Sequence, residues 1–277
     1  MKLAIYSFGW KLHSINIHQL TINVKSLDRI VCKVFFIAME LKLTRAELES
    51  LLQTRHPTDD EMQLINQFKP YGLDPWESSE IIRFCVIASN NLIHSSGQVW
   101  DKNALETMVA SFPECSFMID HEWDDQTKTF GMIYDSFIYS LPSVSKEGIT
   151  KILEKSPNPN EDYRIIQKTG YHQVLVFGFV EATHPVVSEI FYGRKANISM
   201  GGIFYGESIC PICDIPYSDP KCPHYPPYMA GLVDEEMLTS YYRRSGKMES
   251  VECSFVATGA CRQARLVDSR LNTFVFS

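Results

Sequence analysis

A chain of 277 residues, 45% hydrophobic and 12% aromatic, holds enough apolar material to build the core of one large domain or two small ones. Its formal charge of −7 and the absence of any Lys/Arg cluster argue against a nucleic-acid surface, and no run reaches the roughly 18–20 apolar residues of a membrane span. Of eight cysteines, only Cys210, Cys213 and Cys222 cluster, which suits reduced thiols in a cytosol better than a secreted disulfide framework.

Residues 1–38 join poorly to the rest of the chain. Their most apolar run, Ile30–Met39, is short and carries Lys33, and no signal-peptide pattern is present. They read as a peripheral extension, with Met39 a candidate for the true start. Over 39–75 two helices are expected, forming a hairpin arm. Thr44 and Glu47 have capping-box spacing ahead of Leu48, Leu51 and Leu52, and Thr58 and Glu61 repeat it ahead of Met62, Leu64, Ile65 and Phe68.

From 76 to 277 the chain reads as one main domain. A buried strand is expected over Ile81–Ser89 and a helix over Lys102–Phe112, with Leu105, Met108 and Val109 inward. Two strands come next, in CSFMIDH and FGMIYDSFIY, around a polar turn at 124–128. The segment 143–160 is rich in Ser, Pro, Asn and Lys and reads as a loop holding a short helix near Gly148–Glu154. Then come a strand in QVLVFGFVEA, a short helix over Pro185–Tyr192, and strands in ANISMGGIFYGE, ESVECSFVAT and ARLVD. Strands dominate without βαβ alternation, so the expected class is α+β, β-dominated, with a mostly antiparallel barrel or sandwich.

Two chemistries stand out along this order. His121 ends an apolar strand in MIDHEWDD, where an imidazole titrating near neutrality can act as a general base. Ser199 lies in a predicted strand and is followed by Gly201 and Gly202, whose small size lets backbone amides approach a substrate carbonyl. A third group should orient the imidazole; Glu252, Glu181 and His184 are the candidates. Just after the serine strand, Cys210-x2-Cys213 and Cys222-x-His224 are separated by eight residues. Four such donors can close a tetrahedral shell around Zn²⁺, leaving no open position, so the metal expected in the 208–228 knuckle is structural.

The order NNLIHSSGQVWDKNALETMVASF, FMIDHEWDDQTKTFGMIYDSFIY, VLVFGFVEATHP, ANISMGGIF and VECSFVATGACRQARL resembles the prohead maturation proteases of tailed phages, serine peptidases related in fold to the herpesvirus assemblin. The likeness covers about residues 81–267, and ATGAC departs from the proline-containing segment common there. It implies an assemblin-type barrel, His121 as base, Ser199 as nucleophile and an acidic third residue, for which Glu252 is favoured over Glu181 and His184. It further implies cleavage of the major capsid protein or a scaffold precursor, and of the protease itself, inside an immature shell in the host cytoplasm. Self-association is an expectation of the same likeness, since the herpesvirus relatives act as dimers. A non-catalytic capsid-assembly protein keeping the fold and the zinc loop is the alternative, and an unrelated zinc-ribbon regulator a third.

Overall fold

The structure is a computed structural model that describes residues 53, 55–123, 125–141, 146–191 and 197–267. The extension 1–38 and the first helix expected in the arm lie outside these residues.

Three strands set the frame: β1 (Ile81–Asn90), β4 (Thr129–Leu141) and β5 (Tyr171–Glu181). β1 and β5 are buried at nearly every position rather than at alternate ones, because each faces a core on both sides, and this is why their sequences are continuous apolar runs. The others are β2 (Gln98–Trp100), β3 (Ser116–Ile119), β6 (Asn197–Ile209), β7 (Tyr242–Val256) and β8 (Arg265–Val267). In the order β7-β3-β4-β5-β1-β8-β6 they close through a β6–β7 pairing into a seven-stranded barrel, with β2 alongside β7. All pairings are antiparallel except β2–β7 and β3–β7. The β-dominated, barrel-like expectation therefore holds at the level of architecture, with two parallel contacts that sequence periodicity does not announce.

Aromatic rings from four strands fill the barrel: Phe84 lies 4.9 Å from Phe117, Phe117 6.1 Å from Phe130, and Phe130 5.6 Å from Phe255. A Cβ at Gly178 would collide with the Phe117 ring, so glycine on β5 makes room for it. Helix α1 (Asp59–Ile65) starts at the expected capping box of Thr58 and Glu61, and it lays Met62 and Ile65 on the outer face of β1, β4 and β5. Helix α2 (Lys102–Ser111), N-capped by Asp101, adds Leu105, Met108 and Val109 to the barrel core.

Helices α3 (Lys146–Leu153) and α4 (Pro159–Thr169) cover a further cluster around Leu92, Leu141 and Tyr171. The first matches expectation; α4 falls partly in a segment that reads as loop. Its signals are nonetheless present: Asn158 accepts from Glu161 N–H, Pro159 opens the helix, Glu161 and Asp162 occupy its first turn, and Gly170 stops it at φ 77°. A short α5 (Val186–Phe191) precedes β6.

Under α1 lies a buried ion pair. Arg83 is fully buried and donates from Nε to Glu61 Oε1 at 2.9 Å, while Arg55 Nη1 reaches Oε2 at 2.7 Å. Burial alone would raise the Glu61 pKa, but the charge of Arg83 and the hydrogen bond from Arg55 outweigh it and hold the pKa at about 2 against an ordinary 4.5. A depressed carboxylate stabilises the fold above its unfolded pKa and loses that contribution as pH falls through the folded one. Glu61→Gln should therefore cost roughly 3 kcal/mol at neutral pH and flatten the loss of stability between about pH 5 and pH 2. Equilibrium unfolding measured across that range checks it; an unchanged acid limb contradicts it.

Candidate active site and metal loop

β3 runs parallel to β7 with Ser116 opposite Glu252 and Met118 opposite Ser254, so the residues after β3 emerge beside the C-terminal half of β7. There the chain reverses through Asp120 and His121, both left-handed at φ 55° and 58°, a conformation uncommon for non-glycine residues and enriched at functional sites. It is held by backbone: Asp120 N–H donates to Phe255 O at 3.1 Å, and His121 N–H donates to Ser254 Oγ at 3.2 Å. The His121 ring then sits with Nδ1 2.7 Å from Glu252 Oε1. With Nδ1–H given to the carboxylate, the neutral imidazole presents the Nε2 lone pair outward, the tautomer a general base needs. The His121 side chain is 36% exposed and that of Glu252 1%. An open base is thus paired with a dry acid.

The other oxygen of Glu252 accepts a 2.5 Å hydrogen bond from Ser254 Oγ. In the β6–β7 register Ser199 faces Ser254 and Gly201 faces Glu252, and cross-strand partners project to the same side of a sheet. Ser199, Gly201, Glu252 and Ser254 therefore share the outer face of the barrel, while Ile198 and Met200 belong to its core. The contact geometry agrees. A Cβ at Gly201 would collide with Glu252 Oε1, and one at Gly202 would lie 2.5 Å from Glu249 O, so close approach requires both glycines. Ser254 is fully buried, with its hydroxyl already committed as donor and acceptor. Ser199 is only partly buried, which leaves its hydroxyl the more accessible of the two. Among the described residues no hydrogen bond joins Ser199 to His121; in free serine hydrolases that contact is often long and tightens with substrate.

Of the three candidates for the orienting group, Glu252 is the one against His121. Glu181 is the exposed last residue of β5, and His184 accepts through Nδ1 from Val186 N–H at 3.2 Å. Sequence reasoning passes over Ser254 and Trp123. The first is within its reach, since Glu-x-Ser on a strand puts both side chains on one face. Trp123, 52% exposed, has a ring carbon 3.2 Å from the Cβ position of Gly201, and no pattern in the sequence marks it.

Cys210, Cys213, Cys222 and His224 bring their ligand atoms within 4.8 Å of one another and form a group able to hold a metal ion. His224 Nδ1 lies 3.2 Å from Cys213 Sγ and 3.7 Å from Cys210 Sγ, and Cys213 N–H points at Cys210 Sγ from 3.4 Å. Burial and the neighbouring thiols push Cys213 up to about 11. The loop, expected over 208–228, extends to residue 241, because β7 begins at Tyr242 and pairs back to the end of β6 through Ile209 and Arg243. It replaces the turn of the β6–β7 hairpin. Ten residues of strand separate Ile209 from Ser199, about 33 Å at the usual rise. The metal group therefore closes the far end of the hairpin whose near end carries Ser199 and Glu252.

Comparison with known protein families, with curated proteins and with solved structures finds no match to this chain. Among the described residues no helix is long and apolar enough to cross a membrane.

Proposed function

We propose that this chain is a serine endopeptidase of the prohead-maturation type, with an assemblin-like barrel, Ser199 as nucleophile, His121 as general base and Glu252 as the group that orients the base. The observation carrying this reading is the 2.7 Å contact from His121 Nδ1 to Glu252 Oε1, beside a serine on the same face of the sheet. In this reading His121 Nε2 removes the Ser199 proton, and the oxygen attacks a peptide carbonyl. Amides near Gly201 and Gly202 hold the oxyanion, the imidazolium returns its proton to the leaving amine, and water then releases the acyl group. The substrate class is segments of the major capsid protein or of a scaffold precursor, and the chain itself. Zn²⁺ is the metal that three thiolates and an imidazole suit best, in a structural role.

A fluorophosphonate probe tests the nucleophile. The expected adduct maps by mass to the peptide containing Ser199 and disappears in His121→Ala; labelling elsewhere, or none, removes the assignment. Ser254 should behave as a positioning residue, because it holds both the acid and the backbone of the base. Ser254→Ala should lower kcat roughly tenfold to a hundredfold, the worth of one hydrogen bond to a charged group, with KM little changed and activity restored in Ser254→Thr. A rise in KM alone would contradict that role.

A second reading, a capsid-assembly protein that keeps the fold without cleaving, draws on the missing Ser199–His121 hydrogen bond. A protein that fails to label yet binds the capsid precursor would favour it.

A further inference from the structure

Along most of its length β6 has a strand partner on one side only. The extra residue at the β6–β7 register shift is Val251 of β7, so β6 itself is regular and alternate residues turn their N–H and C=O away from β7. Both ends fix which residues these are: Ile198 N–H donates to Ala264 O at 3.1 Å, and Ser208 O accepts from Tyr217 N–H at 3.0 Å. Met200, Gly202, Phe204 and Gly206 lie between them and share that side. Among the described residues, no backbone group takes up their N–H and C=O there, and Gly202 and Gly206 are exposed. Such a row is a template for one more strand.

The surroundings of the row say what fits it. Ala264 fills the place beside Ile198 and Tyr217 the place beside Ser208, so the gap takes about seven extended residues, roughly 23 Å. A strand already built into another sheet would run past both ends and meet these plugs; a free peptide segment would not. On the inner side a cavity of about 250 Å³ is lined by Met200, Gly202 and Phe204, and opposite them by Gln98, Ala260 and Cys261. It leaves room for the inward side chains of an added strand. On the outer face Ile203 and Tyr205 are 50% and 53% exposed. Glu207, also exposed, carries the one charge of β6 between Ser199 and Ser208. Lys247, across the sheet at Tyr205, reaches Glu249 at 3.5 Å, and among the described residues Glu207 has no ion-pair partner.

We propose that the free edge of β6 binds an extended peptide segment that carries a Lys or Arg opposite Glu207 and apolar residues opposite Tyr205 and Ile203. The segment lies antiparallel, the more stable pairing per residue. Its residues opposite Gly206, Phe204 and Gly202 exchange both backbone hydrogen bonds with them, and the alternate residues meet the outer-face side chains as cross-strand pairs. Main-chain bonds supply the affinity and the outer-face pairs the selection. Read from its N-terminus the segment is cation-x-apolar-x-apolar, and its C-terminal end arrives beside Gly201 and Ser199. That the segment is a substrate, cut after the apolar residues, rests on the endopeptidase reading; the strand addition does not.

The probe is acetyl-Lys-Thr-Ile-Thr-Val-Thr-Gly-amide, titrated into the full chain at pH 7. At saturation, amide hydrogen exchange read by NMR should slow about tenfold or more at Gly202, Phe204 and Gly206. In calorimetry, N-methylating the three threonines, whose N–H groups face β6, should weaken binding about tenfold or more. N-methylating the isoleucine and valine, whose N–H groups face away, should leave it nearly unchanged. Replacing the peptide's lysine by glutamate should weaken binding about threefold, and Glu207→Lys, on the exposed face, should reverse that preference. No saturable binding, binding without protection of the three amides, equal loss from both N-methylated forms, or a preference that Glu207→Lys does not reverse overturns the proposal. Absence of fluorophosphonate labelling at Ser199 with the amides protected would count against the peptidase reading alone.

Discussion

Ser199→Ala is expected to abolish processing of a co-expressed capsid precursor, lowering kcat/KM by about 10⁴-fold or more, the scale on which triad nucleophiles act. The fold should not notice. Ser199 is partly buried on the outer face of the barrel, so losing its oxygen leaves no core cavity. Melting temperature and metal content should stay within error of the parent. Intact mass of the precursor and its fragments reads the result, and it also reports the cleavage site. Undiminished cleavage by the folded variant would falsify the assignment of Ser199, and of the whole outer-face constellation with it.

The second large effect concerns the metal loop. Cys222→Ser should reduce bound metal from one equivalent to near none, since three donors and a serine no longer close the shell. Residues 210–241 hold few apolar contacts of their own; Ile212, Tyr228 and Leu232 are 65%, 58% and 76% exposed. A loop of this kind depends on its metal for order. Losing even a third of the free energy typical of a structural zinc site, about 4 kcal/mol, should lower the melting temperature by roughly 10 °C. Limited proteolysis should then cut within 210–241 while β1 and β5 stay protected. Unchanged melting with the metal gone would mean that the loop is held by Tyr217, Thr239 and the Arg243–Asp214 pair instead.

Much of this is legible in the residues. The strand and helix positions come from apolar runs and capping spacing, and the metal group from four donors set as two short pairs. His121 and Ser199 can be picked out by residue type and strand context, and the choice among Glu252, Glu181 and His184 cannot. That choice depends on β3 lying parallel to β7, a pairing of segments more than 130 residues apart that no local pattern encodes. Helix α4 escapes for a different reason. Its polar surface hides the periodicity, although Asn158-Pro159 and Gly170 mark both ends.

The closure of the barrel also fixes when the site can exist. β7 is the partner of β2, β3 and β6 at once, and it holds both Glu252 and the serine that tethers His121. A chain emerging from the ribosome at about 5–20 residues per second therefore carries His121 and Ser199 for several seconds before the strand that unites them is made. Under the proposed endopeptidase reading, nascent chains are inert by topology, and hydrolytic capacity arrives in one step, with the last strands of the domain.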